Sequence, residues 1–359
     1  MKKLFVLSIS VLISAILYAS EPFATYSFQS ASITELEANT IDGDIILTGD
    51  ASEKTTVQVF ISSNNQTDDQ IKQILDEYYI IDIRVADGKL FAVVKHKKEL
   101  RKQRGLNISF NISVPKHVTG KMNSASGSIR ISETSGDLRF NTASGSLTVD
   151  RISGKISGNT ASGSINLTNS TDNVSLNTAS GNIQASNCTG NIRLNTASGN
   201  VLANGLEGNI NLNTASGSVN ANALKGDVSL NTASGNVTAD NIIGTLKAGS
   251  ASGNIVLKDI SGNLNISDDS RRNANRGNIE VTMKSVDEYV IIFNNSRNVN
   301  LTVPADNGYN LNVEADKVET SGMRGFRGEM DSKSLNGTVG NGGAKIEISK
   351  SQRVNLSFK

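Results

Sequence analysis

The tripeptide Ala-Ser-Gly begins at Ala125, Ala143, Ala161, Ala179, Ala197, Ala215, Ala233 and Ala251, 18 residues apart each time and with no insertion. A fixed period held over so many units is the signature of a solenoid, in which each unit buries its apolar face only against its neighbours. A nine-residue echo runs inside each unit. Gly127, Gly145, Gly163, Gly181, Gly199, Gly217, Gly235 and Gly253 mark one corner. Nine residues on stand Gly136, Gly154, Gly190, Gly208, Gly226, Gly244 and Gly262, with Asp172 as the exception. Each corner is followed by polar–apolar alternation (Ser-Ile-Arg-Ile, Asn-Ile-Gln-Ala, Asn-Ile-Asn-Leu). Alternation with period two is a strand with one buried face, and glycine supplies the backbone conformations of a tight corner. Each coil therefore holds two short strands and two corners.

The inward positions follow from the alternation. Ile183 with Ala185 and Val219 with Ala221 belong to the first strand; Ile192 with Leu194 and Val228 with Leu230 belong to the second. A further apolar column follows the first strand: Ile152, Cys188, Leu206, Leu224, Ile242 and Ile260. Cys188 reads there as a small buried hydrophobe. Phe140 is the sole aromatic of the repeats, and Gly158 lies one coil above it, where a missing side chain leaves room for the ring.

The corner residues stack as well. Asn123, Asn141, Asn159, Asn177, Asn195, Asn213 and Asn231 recur at one position, each followed by Thr or Ser. Coils stack about 4.8 Å apart, a spacing at which identical amides bond to the units above and below. This structural ladder is the favoured reading; the alternative is a flat Asn/Thr/Ser face that binds a ligand. Eight coils make a rod of roughly 38 Å.

Composition agrees with a scaffold. Tryptophan is absent and aromatics make up 4% of the chain, whereas large compact cores lean on aromatic side chains. The net charge of +1 provides no field for nucleic acid. One cysteine and two histidines, His96 and His117, leave little for disulfide, metal or acid–base chemistry, and no cofactor is expected. The Gly-Gly-x-Gly-x-Asp corner of a calcium β-roll is missing. Between Ser157 and Asp240 the charged residues are Asp172, Arg193, Glu207, Lys225, Asp227 and Asp240, with no paired carboxylates beside a groove. Asp172 and Asp240 read as turn residues. An ice-binding array is disfavoured because the ladder sits beside a corner glycine rather than in a flat Thr-x-Thr strand. The expected protein is not an enzyme.

Residues 1–20 read as a secretory signal peptide: Lys2 and Lys3, an apolar run from Leu4, and a small-residue exit at Ala19-Ser20. Export to the periplasm, the outer surface or the medium is the expectation. No further apolar run reaches the roughly 20 residues of a membrane span, so the mature chain is expected not to span a membrane.

The regular repeat occupies 123–266. Residues 21–122 read as irregular coils, with 35–49 and 56–62 as degenerate copies, and a helical insertion at about 68–79. Thr67 and Gln70 form a capping box there, and Ile71, Ile74, Leu75 and Tyr78 form one apolar stripe. Strands follow at 80–85 and 89–95. Residues 267–359 read as longer coils ending in a cap, because an open solenoid end is an exposed sheet edge. Two basic clusters flank the repeats. Lys95, Lys97, Lys98, Arg101, Lys102 and Arg104 are candidate contacts to an anionic surface, and Arg271, Arg272 and Arg276 form a smaller group.

The stretches ANTIDGDIILTG, TDDQIKQILDEYY, NISFNISVPKHVTGKMNSASGSIRI, NLTVPADNGYNLNVEA and SLNGTVGNGGAKIEIS, in this order around the repeats, resemble the bacterial putative-adhesin family of β-strand-repeat proteins, a domain of unknown function. The resemblance covers nearly the whole mature chain. It implies an all-β, single-stranded parallel β-solenoid (β-helix) and an envelope or surface role, and it supplies no catalytic or binding residues. The partners expected are cell-surface or envelope polymers or host matrix. A stress-response or ligand-sensing module that works through its flanks, and a spacer without ligand, are the competing readings.

Overall fold

The computed structural model describes residues 21–63, 66–97, 105–267, 277–293 and 296–359. The described residues are mostly strand, with one α-helix among them, and most of the pairing is parallel. Residues pair with those 18 positions away. Ile165, Ile183 and Val201 stack on one wall, and Val174, Ile192 and Ile210 on the other. The inward columns of both walls, and the third column containing Cys188, are buried throughout. Each fully buried Val, Leu or Ile contributes about 1.5–3 kcal/mol, so the stack is held by many equal increments rather than one central core. The Cys188 Sγ contacts the Ser186 carbonyl at 3.1 Å, and burial pushes its thiol up. Further along, the two strands of a coil fuse into single long ones, Val219–Thr232, Val237–Ser250 and Ile255–Ser267.

The corners differ from the expectation. Gly136, Gly154, Gly190, Gly208, Gly226, Gly244 and Gly262 do have positive φ, between +116° and +124°, and Asp172 takes φ +78° in the same column. The Ala-Ser-Gly glycines do not. Their requirement is steric: a Cβ on Gly199 would lie 1.9 Å from the Gly181 carbonyl oxygen of the coil below. A third corner was not anticipated. Glu133, Arg151, Asn169, Asn187, Gly205, Ala223, Asn241 and Asp259 all adopt left-handed backbone, φ 51° to 64°. Asp240, read as a turn residue, is in strand, and the turn is made by Asn241.

The threonine that follows each ladder asparagine points inward. The Thr196 hydroxyl donates to the Gly181 carbonyl at 2.9 Å and accepts the Gly199 N–H at 3.1 Å. The same clamp recurs at Thr142, Thr160, Thr178, Thr214 and Thr232. Ser124 and Ser250 make it with serine. It satisfies backbone groups that the glycine corner would otherwise bury unpaired. Thr196→Val keeps the shape and removes both bonds, and is expected to cost about 2 kcal/mol in urea unfolding. Thr196→Ser keeps both bonds and loses one methyl group, a cost of about 0.8 kcal/mol.

At both ends the order in space departs from the order in sequence. Glu35–Thr40 and Ile45–Asp50 stack in register beneath Thr119–Ser124 and Ile129–Ser132, as a coil of the same kind. On their other side lie Lys89–His96 and Asn107–Pro115, which come later in the chain. Lys54–Ser62 is not a coil, contrary to the reading of 56–62: it runs antiparallel to Asn107–Pro115 and Ala24–Gln29. Tyr79–Ala86 likewise runs antiparallel to Lys89–His96. The helix Asp68–Tyr78, started by the Thr67–Gln70 capping box, buries Ile74 and packs Ile71, Leu75 and Tyr78 against the core. At the far end, Ala344–Phe358 inserts between Ile279–Phe293 with Asn298–Val303 on one side and Tyr309–Ser321 on the other. Ser334–Val339 and Phe326–Met330 then continue the edge in antiparallel sense, so the strands here are not added in sequence order.

Candidate functional site

The ladder asparagines lie in strand rather than at a corner. Asn141, for example, is the last outward residue of Leu138–Thr142. Each amide Nδ2 donates to the Oδ1 of the coil below: Asn141 to Asn123 at 3.0 Å, Asn159 to Asn141 at 2.8 Å, Asn177 to Asn159 at 2.9 Å and Asn195 to Asn177 at 2.8 Å. The run continues through Asn213 at 2.8 Å to Asn231 at 3.3 Å, and starts from Asn39, which accepts from Asn123 at 2.7 Å. An amide carries two N–H donors and two acceptor lone pairs. The ladder uses one of each, so at Asn141, Asn159, Asn177 and Asn195 one N–H and one lone pair remain for solvent or a ligand.

Two more outward columns flank the ladder. Ser175, Arg193, Asn211 and Ser229 form the nearer one; Asn173, Asn191, Asn209 and Asp227 form the farther one. Because the threonines are buried, they drop out of the Asn/Thr/Ser face considered above, and the exposed surface carries asparagines and serines. The strand placement removes the corner argument against an ice-binding array, but the columns carry amides, hydroxyls and scattered charge, not Thr-x-Thr.

The opposite wall holds a second ladder of a different kind. The Asn182 Oδ1 accepts the Asn200 backbone N–H at 2.8 Å, Asn200 accepts from Ser218, Asn236 from Asn254, and Asn254 from Asn278. Its signal was present in the sequence, since Ser or Asn follows the Ala-Ser-Gly glycine in every unit.

Of the predicted cationic run, Lys98, Arg101, Lys102 and Arg104 lie outside the described residues, as do Arg271, Arg272 and Arg276. Lys95 is exposed. Lys97 reaches the Asp76 carbonyl at 2.5 Å, in the last turn of the helix, where a cation meets the negative end of the helix dipole. A cationic cluster that the sequence reading passed over lies nearer the ladder. Lys121 and Arg139 stack in one column above Glu37, and Lys155 lies diagonal to them, around a shallow cleft of about 360 Å³ that Glu35 and Asp137 also line. None of the three makes an ion pair among the described residues. Lys89, close by, pairs with both Glu35 at 3.0 Å and Glu37 at 2.8 Å, one cation against two carboxylates, and its bond holds the Glu37 carboxyl below the usual range. No group of three or more His, Cys, Asp or Glu able to hold a metal occurs among the described residues.

Comparison with known proteins adds the family. Among the solved structures that align with the chain are the following two. One is described as a putative cell adhesion protein from Clostridium sporogenes, at 11% identity and a TM-score of 0.19, covering 94% of this chain and 100% of that one. The other is described as a putative adhesin from Bacteroides fragilis, at 19% identity and a TM-score of 0.31, covering 72% and 95%. No curated protein matches the chain. The profile of the Toastrack DUF4097 family matches residues 107–225 and again 191–352, more than half of the chain between them. With its parallel coils and its repeats inside those limits, the chain belongs to the Toastrack DUF4097 family.

Proposed function

We propose that this protein is an exported, non-enzymatic envelope component: a β-solenoid of 18-residue coils with irregular caps that holds a repeated amide face toward polymers of the cell surface or the host matrix. The observation that carries this reading is the Asn123–Asn231 ladder, which presents one unused donor and acceptor per coil along its middle. Export rests on the segment from Lys2 to Ser20. Each contact to a single amide is weak, so useful affinity comes only from many coils engaged at once. The mature chain and variants lacking one, two or three coils are titrated onto isolated peptidoglycan, lipopolysaccharide and collagen. Affinity for at least one of these falls stepwise with each coil removed; affinity that stays unchanged across the series overturns the reading.

A second reading is supported by Lys121, Arg139 and Lys155, none of which closes an ion pair among the described residues: a sensing module that holds an anionic polymer along these three side chains, with Lys95, Lys97, Lys98, Arg101, Lys102 and Arg104 as further contacts. Neutralising Lys121, Arg139 and Lys155 to Gln should then abolish a salt-sensitive binding to lipopolysaccharide, and equal binding by the triple variant sinks it.

A further inference from the structure

The 18-residue register ends above the coil that contains Asn254, and a cleft unlike anything in the regular coils forms there. Asn254 stacks under Asn278, 24 residues on, and Asn278 under Asn298, 20 residues on. The inserted strand Ala344–Phe358 then brings Arg353 against Asn298 and Asn355 against Asn300. With Glu280, which pairs with Val256 below and Asn300 above, these residues line a cleft of about 390 Å³, within the usual range of small-ligand sites.

The hydrogen bonds leave a defined remainder. The Asn278 N–H is given to the Asn254 Oδ1 at 2.8 Å, the Asn298 Nδ2 to the Asn278 Oδ1 at 3.0 Å, and the Asn355 Nδ2 to the Asn300 Oδ1 at 2.7 Å. The amide Nδ2 groups of Asn254, Asn278 and Asn300 are then available as donors, and the Asn298 Oδ1 as an acceptor. The Asn355 Oδ1 is buried with no hydrogen-bond partner among the described residues, which is costly unless a ligand or water donates to it. Glu280 and Arg353 form no ion pair with each other. One carboxylate and one guanidinium leave the cleft without net charge.

Donors and acceptors interleaved at strand spacing, with no net charge and the partly buried Val256 at one side, suit a ligand whose every polar group both donates and accepts. The geometry points to a binding site for an uncharged, hydroxyl-rich saccharide, with Glu280 and Arg353 each gripping hydroxyls and the amides filling between them. This site is separate from the Asn123–Asn231 ladder, lies on the other wall, and does not depend on the number of regular coils.

The test uses the mature chain on an array of defined neutral oligosaccharides, with sialylated and sulfated glycans as the acidic arm. At least one neutral glycan binds, Glu280→Gln and Arg353→Gln each weaken it at least tenfold while circular dichroism is unchanged, and deletion of the coil 179–196 leaves the affinity intact. Binding confined to the acidic arm, no glycan binding, full affinity in both point variants, or loss of binding with the deleted coil each overturns the proposal. Because the coil deletion shortens the Asn123–Asn231 ladder and leaves every residue lining the cleft in place, failure of the multivalent reading and failure of this site are told apart.

Discussion

Gly199→Ala is expected to lower the stability of the mature chain by about 3 kcal/mol, the upper end of what overpacking a close-packed interior costs. The sign is the informative part. Gly199 lies outside the left-handed region that excludes side chains, and an alanine placed where the backbone suits it normally stabilises by about 0.4–1 kcal/mol, through the unfolded chain. Here the added Cβ would meet the Gly181 oxygen at 1.9 Å, its carbon at 2.5 Å and the Asn182 nitrogen at 2.9 Å, all of them backbone atoms of a stacked coil. Neither side can swing away, so the coils must part. Ser198→Ala, at the exposed neighbour, is the control and should stay within about 0.5 kcal/mol. Urea unfolding followed by circular dichroism measures both; a Gly199→Ala variant as stable as the parent would show that the coils are not in backbone contact.

The second large effect lies in the column Met122, Phe140, Gly158, Leu176. Phe140 is 1% exposed, and a Cβ on Gly158 would sit 2.2 Å from the Phe140 Cε2 and 2.9 Å from the Leu176 Cδ2. Phe140→Ala is expected to cost about 3–5 kcal/mol and Gly158→Ala about 1–3 kcal/mol. The two positions share one volume, so their effects should not add. Combining Phe140→Leu with Gly158→Ala should be milder than the sum of the single changes by at least 0.5 kcal/mol. Strict additivity in the double-mutant cycle would contradict the shared space.

This pair was legible in the sequence because an 18-residue offset turns one dimension into two: any residue's upper and lower neighbours can be read from the chain. The same offset exposes the Lys121–Arg139 stack, which reading charges only along the chain had missed. Strict alternation from Leu194 inward and Asn195 outward would also have turned Thr196 inward. The glycine corners were placed correctly but given one cause where there are two, since a sequence does not distinguish a positive φ from a backbone contact. The left-handed column was hidden by Glu133, Arg151 and Ala223, although Asn169, Asn187, Gly205, Asn241 and Asp259 are of the types that favour that backbone. Least legible were the ends. That Ala344–Phe358 lies beside Asn298–Val303, and Glu35–Thr40 beside Lys89–His96, depends on pairings 50 or so residues apart with no local signal. The saccharide cleft is built from one of these pairings.

The most direct test of the stacking account is a pair of internal deletions in the mature chain. Removing 179–196, one full coil, keeps every column in register: Thr178 takes the place of Thr196, and Ala197 that of Ala179. Removing 179–187, half a coil, sets glycines of one corner over those of the other and turns the Thr clamp away from its carbonyl. The 18-residue deletion is expected to retain the parent's β-rich circular dichroism and a cooperative thermal transition, while the nine-residue deletion loses both. Equal folding of the two variants, or loss of folding in the 18-residue deletion, would contradict the stacking account.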